Sequence, residues 1–215
     1  MVIEQLSNKK LNQIIHQIDS DQQLKNLYES KWHKIVNFIS DDTQYKNARI
    51  SKTGSLGKKT VHKKSDLDVI FSVSQNYHKQ EVLNHVKAKA NDKFDEIANV
   101  YKTSNAVYVD FYHPECKVDI VLVSPDKFDA EHEEVKDIRT LLQIQQNAIK
   151  IVKFAFDKVL GKHNDIKGHE VEKACLLANF KSVREYVYFL LKYFRGRNIQ
   201  QGLSLEEIIN FIALF

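Results

Sequence analysis

A chain of 215 residues with 43% hydrophobic and 28% charged side chains has ordinary globular composition, enough for one domain or two small lobes. Its formal charge of +4, from 32 basic against 28 acidic side chains, is too mild to mark a nucleic-acid or membrane-surface protein, though it would not repel a polyphosphate. Cys116 and Cys175 lie far apart without metal-ligand spacing, and no run of about 18 apolar residues or apolar leader is present, so a disulfide framework, a zinc site and a membrane span are not indicated. The expectation is a soluble, intracellular protein, most simply cytoplasmic, with no membrane partner.

In chain order, the first forty residues read as helix. Leu11, Ile14, Ile15 and Ile18 recur at helical spacing, then Leu24, Leu27, Tyr28, Trp32, Ile35, Val36, Phe38 and Ile39, with Asp19-Ser20-Asp21 as the break between two helices. A loop over 41–47 leads to a short strand at 48–54. "SDLDVIFSV" (65–73) alternates more clearly, with Leu67, Val69 and Phe71 on one face and Asp66, Asp68 and Ile70 on the other. Residues 77–98 return to helix, with Val82, Val86, Phe94 and Ile97 inward. Strands follow at 106–112 and 116–123, joined by a "His-Pro-Glu" turn. From about 134 the chain is helical throughout, over 135–160, 169–180, 182–196 and 204–215, the last with Ser204 and Glu207 spaced as a capping box. The fold class is therefore α+β: a mixed-sheet core with flanking helices over 1–130, then a helical lobe over 131–215.

The acids in "SDLDVIF" raise a chemical question. Asp66 and Asp68, two apart on a strand, send both carboxylates off one face a few ångströms apart. Like charges so close are unfavourable unless a cation or proton lies between them. All-oxygen ligation suits Mg²⁺, with Mn²⁺ as the alternative, since such ions are held by one or two carboxylates plus substrate phosphates. Gly54 permits a tight turn ahead of these acids, so Ser55 and nearby N–H groups would reach phosphate oxygens. The spacing is neither a P-loop nor a dinucleotide fingerprint. Asp119, alternating with apolar Val118 and Ile120, is the preferred third carboxylate, and Asp110 in "YVDFY" is its competitor.

Taken together, Gly54-Ser55, Gly57, Thr60, Ser65-Asp66-Leu67-Asp68 and Asp119 resemble the pattern of the nucleotidyltransferase superfamily with a DNA polymerase beta-like core. Among its branches the chain looks most like that of the oligoadenylate and cyclic-dinucleotide synthases. The resemblance implies Mg²⁺-dependent transfer of a nucleoside monophosphate from an NTP, ATP being the expected one, to a hydroxyl acceptor, with oligonucleotide or cyclic products. Asp66, Asp68 and Asp119 would then be catalytic and metal-binding, while Gly54, Ser55 and Lys153 would bind the nucleotide phosphates. Lys153 lies amid apolar residues in "IKIVKFAF", where relatives place a triphosphate-contacting lysine. A lysine there needs a partner, with Lys150 one turn away as the alternative. The helical lobe would close over the nucleotide.

Three features stand outside that pattern. Lys59 precedes Thr60 where many relatives have glycine, so a changed loop conformation is expected, with Lys58 and Lys59 facing either phosphate or water. Gly168, His169 and Glu172 match only loosely a family helix of a small residue, an aromatic and an acid, so His169 is better read as structural than as a base-stacking group. The stretch 184–197 mixes aromatics with Arg184, Lys192, Arg195 and Arg197, which reads as a packing face with a charged rim in preference to an RNA platform. A noncatalytic subunit of an RNA or protein assembly, keeping the fold, is the alternative function. His62 and Lys63 have no distinct role.

Overall fold

The computed structural model of the chain describes residues 6–18, 22–42, 45, 47–60, 66–73, 77–93, 97–112, 116–161, 165–196 and 204–214. Several expected features lie outside them: the Asp19-Ser20-Asp21 break, His62, Lys63 and Ser65, Phe94, the turn at 113–115, and Arg197. The described elements, in chain order, are α1 (Asn8–Ile18), α2 (Gln22–Ser40), β1 (Arg49–Lys52), α3 (Gly54–Gly57), β2 (Leu67–Ser72), α4 (Lys79–Lys93) and β3 (Ile97–Lys102). They continue with β4 (Ala106–Phe111), β5 (Cys116–Leu122), α5 (Pro125–Arg139), α6 (Gln143–Val159), α7 (Gly168–Leu176), α8 (Val183–Tyr193) and α9 (Leu205–Leu214). Among them no helix is long and apolar enough to cross a membrane.

The chain groups into two compact units: residues 20–59 with 64–139, and residues 1–19 with 60–63 and 140–215. This differs from a simple division at 130/131. α1 packs on α6 and α8, and so lies with the later helices, whereas α5 packs on β2 and lies with the sheet. Isolated eleven-residue helices are marginal in water. What holds α1 is the stripe of Leu11, Ile14 and Ile18, all buried.

In the sheet unit five strands run in the order β1-β2-β5-β4-β3, with β2 and β5 parallel and every other pair antiparallel. Strand alternation makes two unlike faces. Leu67, Val69 and Phe71 share one face with Val118, Ile120 and Leu122 and with Val107, Val109 and Phe111, all buried. α2 meets this face, its Lys31 ammonium lying 4.1 Å over the Phe111 ring, and α4 packs on β3 and β4. The opposite face carries Asp68, Asp119, Tyr108 and Tyr101. Phe128 of α5 covers one end of it, against Ile70, Val121 and Val123.

Two expectations change here. The helix expected over 77–98 ends by Lys93, and Ile97 opens an additional strand, because "IANVYK" and "AVYVDF" pair as neighbours across a short turn. The long helix expected from 135 is two: α5 begins at Pro125, after Ser124, whose hydroxyl accepts from the Lys127 N–H, and ends before the break at Thr140–Leu142.

In the helical unit the buried stripe of α6 meets Tyr186, Val187, Leu190 and Leu191 of α8. The aromatics of 184–196 are therefore largely packing residues, Tyr186 being fully buried, while Lys192 and Arg195 are exposed at the rim. The Ser204–Glu207 capping box forms as the sequence spacing predicts, with Ser204 accepting from the Glu207 N–H at 3.1 Å and Glu207 accepting from the Ser204 N–H at 2.6 Å.

Candidate active site

The acid-bearing face is assembled by register. Asp68 on β2 stands directly beside Asp119 on β5, Asp119 beside Tyr108 on β4, and Tyr108 beside Tyr101 on β3. Directly paired residues share a face, so one row crosses four strands as Asp-Asp-Tyr-Tyr. Asp110 lies on the same face, one step along β4 and opposite Lys117. Asp119, not Asp110, is the one in register with Asp68. Asp66 lies just ahead of β2 and is exposed.

The Gly-Ser turn docks on this row. The Thr53 N–H donates to the Asp68 carbonyl at 3.0 Å, and the next residue, Gly54, takes φ +56. A Cβ on Gly54 would run into the Asp68 carboxylate. Glycine is thus required twice, by its left-handed backbone and by the close approach of the acid. One turn, α3, follows, closed by Gly57 N–H to Thr53 O at 3.0 Å and Lys58 N–H to Gly54 O at 3.1 Å, and Ser55 sits half-buried within it. A Cβ on Gly57 would come within 2.7 Å of the Lys52 carbonyl oxygen, and the Gly57 carbonyl accepts from the Arg139 guanidinium.

Lys59 bears on the expected departure. It adopts φ 60, the left-handed region in which the relatives' glycine would be at ease. Lys58 does not face water: it is buried and donates to Glu134 on α5 at 2.6 Å. Lys59 is exposed.

The acids repel one another through a partly buried surface. Burial, and then the charges of Asp66 and Asp110, push the Asp119 carboxyl up to about 6, with Lys117 opposing. Burial, followed by Asp110 and Asp119, also raises the Tyr101 phenol, which places that ring within the field of the acids. Behind the row, Tyr28 is pushed up to about 12 by burial, Cys116 and Asp66. Burial and Asp66 push Cys116 up to about 12 against the opposing Lys31, and burial does the same to Cys175. Both thiols are free, buried and protonated, which disfavours thiol chemistry. Lys31, 3% exposed, was not visible as a site neighbour in the sequence, because only the fold carries α2 over Phe111.

Among the described residues no three potential ligands converge on one point as a finished metal site. What is assembled is the in-register Asp68–Asp119 pair, with Asp66 close enough to shift Asp119. A half-buried, all-oxygen donor set of this kind suits Mg²⁺, which takes one or two carboxylates and completes its shell with phosphate and water.

Lys153 belongs to the helical unit and has protein partners there. Its ammonium lies 3.2 Å from Glu172 Oε1 and 3.5 Å from Thr60 Oγ1, and the Thr60 hydroxyl donates to Glu172 at 2.8 Å. Glu172 is 2% exposed and Thr60 fully buried. Gly168 makes room, since a Cβ there would come within 2.9 Å of Lys153 Cε. The loose match of Gly168 and Glu172 to a family helix thus has a packing role, whereas His169 is exposed and Lys150 buried.

No protein-family model matches the sequence, and no curated protein matches it. Solved structures do. The chain is similar to CdnC of E. coli MS115-1, in complex with HORMA-deltaN, at TM-score 0.67 and 15% identity, over 91% of this chain and 73% of that one. It is similar to the Cid1 poly(U) polymerase with Mg 3′-dATP bound, at TM-score 0.69 and 8% identity over 87% and 73% of the two chains. The GLD-2/RNP-8 complex matches at TM-score 0.65 and 9% identity over 87% and 74%. These neighbours are nucleotidyltransferases, and the chain has their α+β fold.

Proposed function

We propose that the protein is a metal-dependent nucleotidyltransferase that moves a nucleoside monophosphate from an NTP, ATP first among candidates, to a hydroxyl acceptor. The observation that carries this reading is the Asp68–Asp119 register pair, with Gly54 held against the Asp68 carboxylate. Mg²⁺ or Mn²⁺, held by Asp68 and Asp119 with Asp66, would supply charge neutralisation for the triphosphate and acidify the acceptor hydroxyl. The acceptor hydroxyl loses its proton to water, its oxygen bonds to the α-phosphorus, the bond from that phosphorus to the α–β bridging oxygen breaks, and pyrophosphate leaves with that electron pair.

The chain's own part is positioning and electrostatics rather than proton transfer. Asp68 is fixed by its strand and by the Gly54 turn, and Asp119 by the strand beside it. Gly54 and Ser55 are proposed to hold phosphate oxygens. Lys153 is proposed as a triphosphate ligand on the family resemblance, and would exchange its Glu172 contact for phosphate. The sequence argument for a noncatalytic subunit rested partly on Lys59, and the left-handed backbone at that position weakens it. An RNA or protein partner remains compatible with the enzyme.

The test is release of pyrophosphate by the full chain with Mg²⁺ and each NTP, with mass measurement of the products. Asp68→Asn is expected to lower the rate by about a thousandfold, the scale of a lost electrostatic contact in the transition state. Mg²⁺ with ATP should raise the unfolding midpoint of the wild type but not of the variant. Folded wild-type protein that neither releases pyrophosphate nor gains stability would end the enzyme reading. A single nucleotide added to a small molecule or protein, with no nucleotide oligomer or cycle, would end the synthase version.

A further inference from the structure

The row that bears the acids does not stop at them. Beyond Asp119 it continues with Tyr108 and then Tyr101, on the edge strand β3. The two rings are stacked nearly parallel, 9° apart in plane with centroids at 4.7 Å. Tyr101 is 44% exposed, so a large aromatic surface stands at the open end of the row. Strands are spaced by about 4.8 Å, so Tyr101 lies roughly 10 Å from Asp119's strand.

We propose that the Tyr108–Tyr101 stack is the platform on which the base of the acceptor lies, so that the acceptor is a nucleotide or a single-stranded end whose hydroxyl is presented toward Asp119. The word "acceptor" rests on the proposed reaction, whereas the base-stacking surface stands on register and ring geometry alone. The same face favours stacking over charge as the source of affinity. In the adjoining row Lys117 faces Asp110, so the two charges offset each other. Recognition through a ring face tolerates any base, since every base has a π-face. A cross-strand tyrosine pair also steadies an edge strand. That role alone, however, confers no difference between ligands with and without a base.

The experiment uses the full chain and two 5′-labelled ten-nucleotide single-stranded RNAs, one ordinary and one whose 3′-terminal nucleotide lacks its base. Loss of the base is expected to weaken binding to the wild type by about five- to a hundredfold, the range for one stacked base. Tyr101→Phe should keep that difference. Tyr101→Ala and Tyr101→Val should lose it while their unfolding midpoints stay close to the wild type, the valine serving because it favours strands without supplying a ring. Competition by AMP separates a free-nucleotide acceptor from a strand end, and either result supports the platform. Equal binding of the two RNAs by the wild type, no binding of RNA or AMP, or a difference that survives in both Tyr101→Ala and Tyr101→Val would overturn it. Because these arms read binding without turnover, their failure is distinct from an absence of pyrophosphate release.

Discussion

Two of the polar clusters among the described residues are built on opposite rules. In the helical unit Lys153, Glu172 and Thr60 are opposite or complementary in kind, deeply placed, and joined at 2.8–3.5 Å. In the sheet unit Asp68 and Asp119 are like charges placed side by side, and Asp66 adds to the strain on Asp119. A buried cluster that satisfies its own groups supports the fold. A half-buried cluster of one sign is costly unless a cation joins it. Substitutions in the two clusters should divide accordingly.

The largest effect on stability is expected from Glu172→Ala, which strands the Lys153 ammonium and the Thr60 hydroxyl in the interior. Breaking a buried pair on one side costs about 3 kcal/mol or more, measured as a lower urea midpoint. Lys153→Ala should destabilise as well, because Glu172 loses its contact with the ammonium, so triphosphate affinity must be compared at matched folded fractions. Replacing both together, as Lys153→Met with Glu172→Leu, should recover most of the loss. Failure to recover would mean that the cluster does more than satisfy itself.

Gly54→Ala comes next. It meets both the positive φ and the Asp68 carboxylate, and about 2 kcal/mol of destabilisation is expected from strain of this kind. Activity should fall with it, since Asp68 must move.

Asp119→Asn should act in the opposite direction on stability. In the folded chain the Asp119 carboxyl sits at about 6 against an ordinary 3.8, so the folded state holds the extra proton between those values. The stability it contributes is fully present below about 4 and is lost as pH rises through about 6. At pH 7 without metal, Asp119→Asn should therefore be more stable by about 1 kcal/mol, a figure reduced for the side chain's partial exposure, and should flatten the wild type's decline between pH 4 and 6. Melts across that range, without and with Mg²⁺, check both statements. Added Mg²⁺ should help only the wild type.

The smallest expected change is Lys59→Gly. Relieving a left-handed lysine should stabilise by about 1 kcal/mol or slightly less, because glycine also frees the unfolded chain. No change in the melting midpoint would mean that the lysine side chain offsets its backbone strain elsewhere.

How much of this was legible beforehand depends on the range of the interactions. The alternation in "LDVIF" and "KVDIVL" correctly pairs acid and apolar positions, because strand periodicity is local. That Asp68 and Asp119 stand side by side is a matter of register, which the alternation around Asp119 suggested but could not determine. β3 was hidden because "FDEIANVY" extends the helical spacing of α4, although its β-branched and aromatic residues just before a Thr-Ser-Asn turn are a hairpin signal. The start of α5 was readable from Ser124 as cap and Pro125 in the first turn. The ion pairs Lys58–Glu134 and Lys153–Glu172 join distant parts of the chain, and no local pattern reports them.

Among the described strands, β5 is the last in the chain and the central one of the sheet. Without it the sheet would consist of two separate antiparallel pairs, β1 with β2 and β3 with β4, and two-stranded pairs are marginal in water. Each exposes an unsatisfied edge next to apolar side chains such as Val69 and Val109, a surface that invites pairing with other chains. Insertion of β5 closes both edges at once and, in the same event, brings Asp119 alongside Asp68. A nascent chain halted before Cys116 would therefore carry two of the acids, no row across the sheet, and its greatest tendency to aggregate.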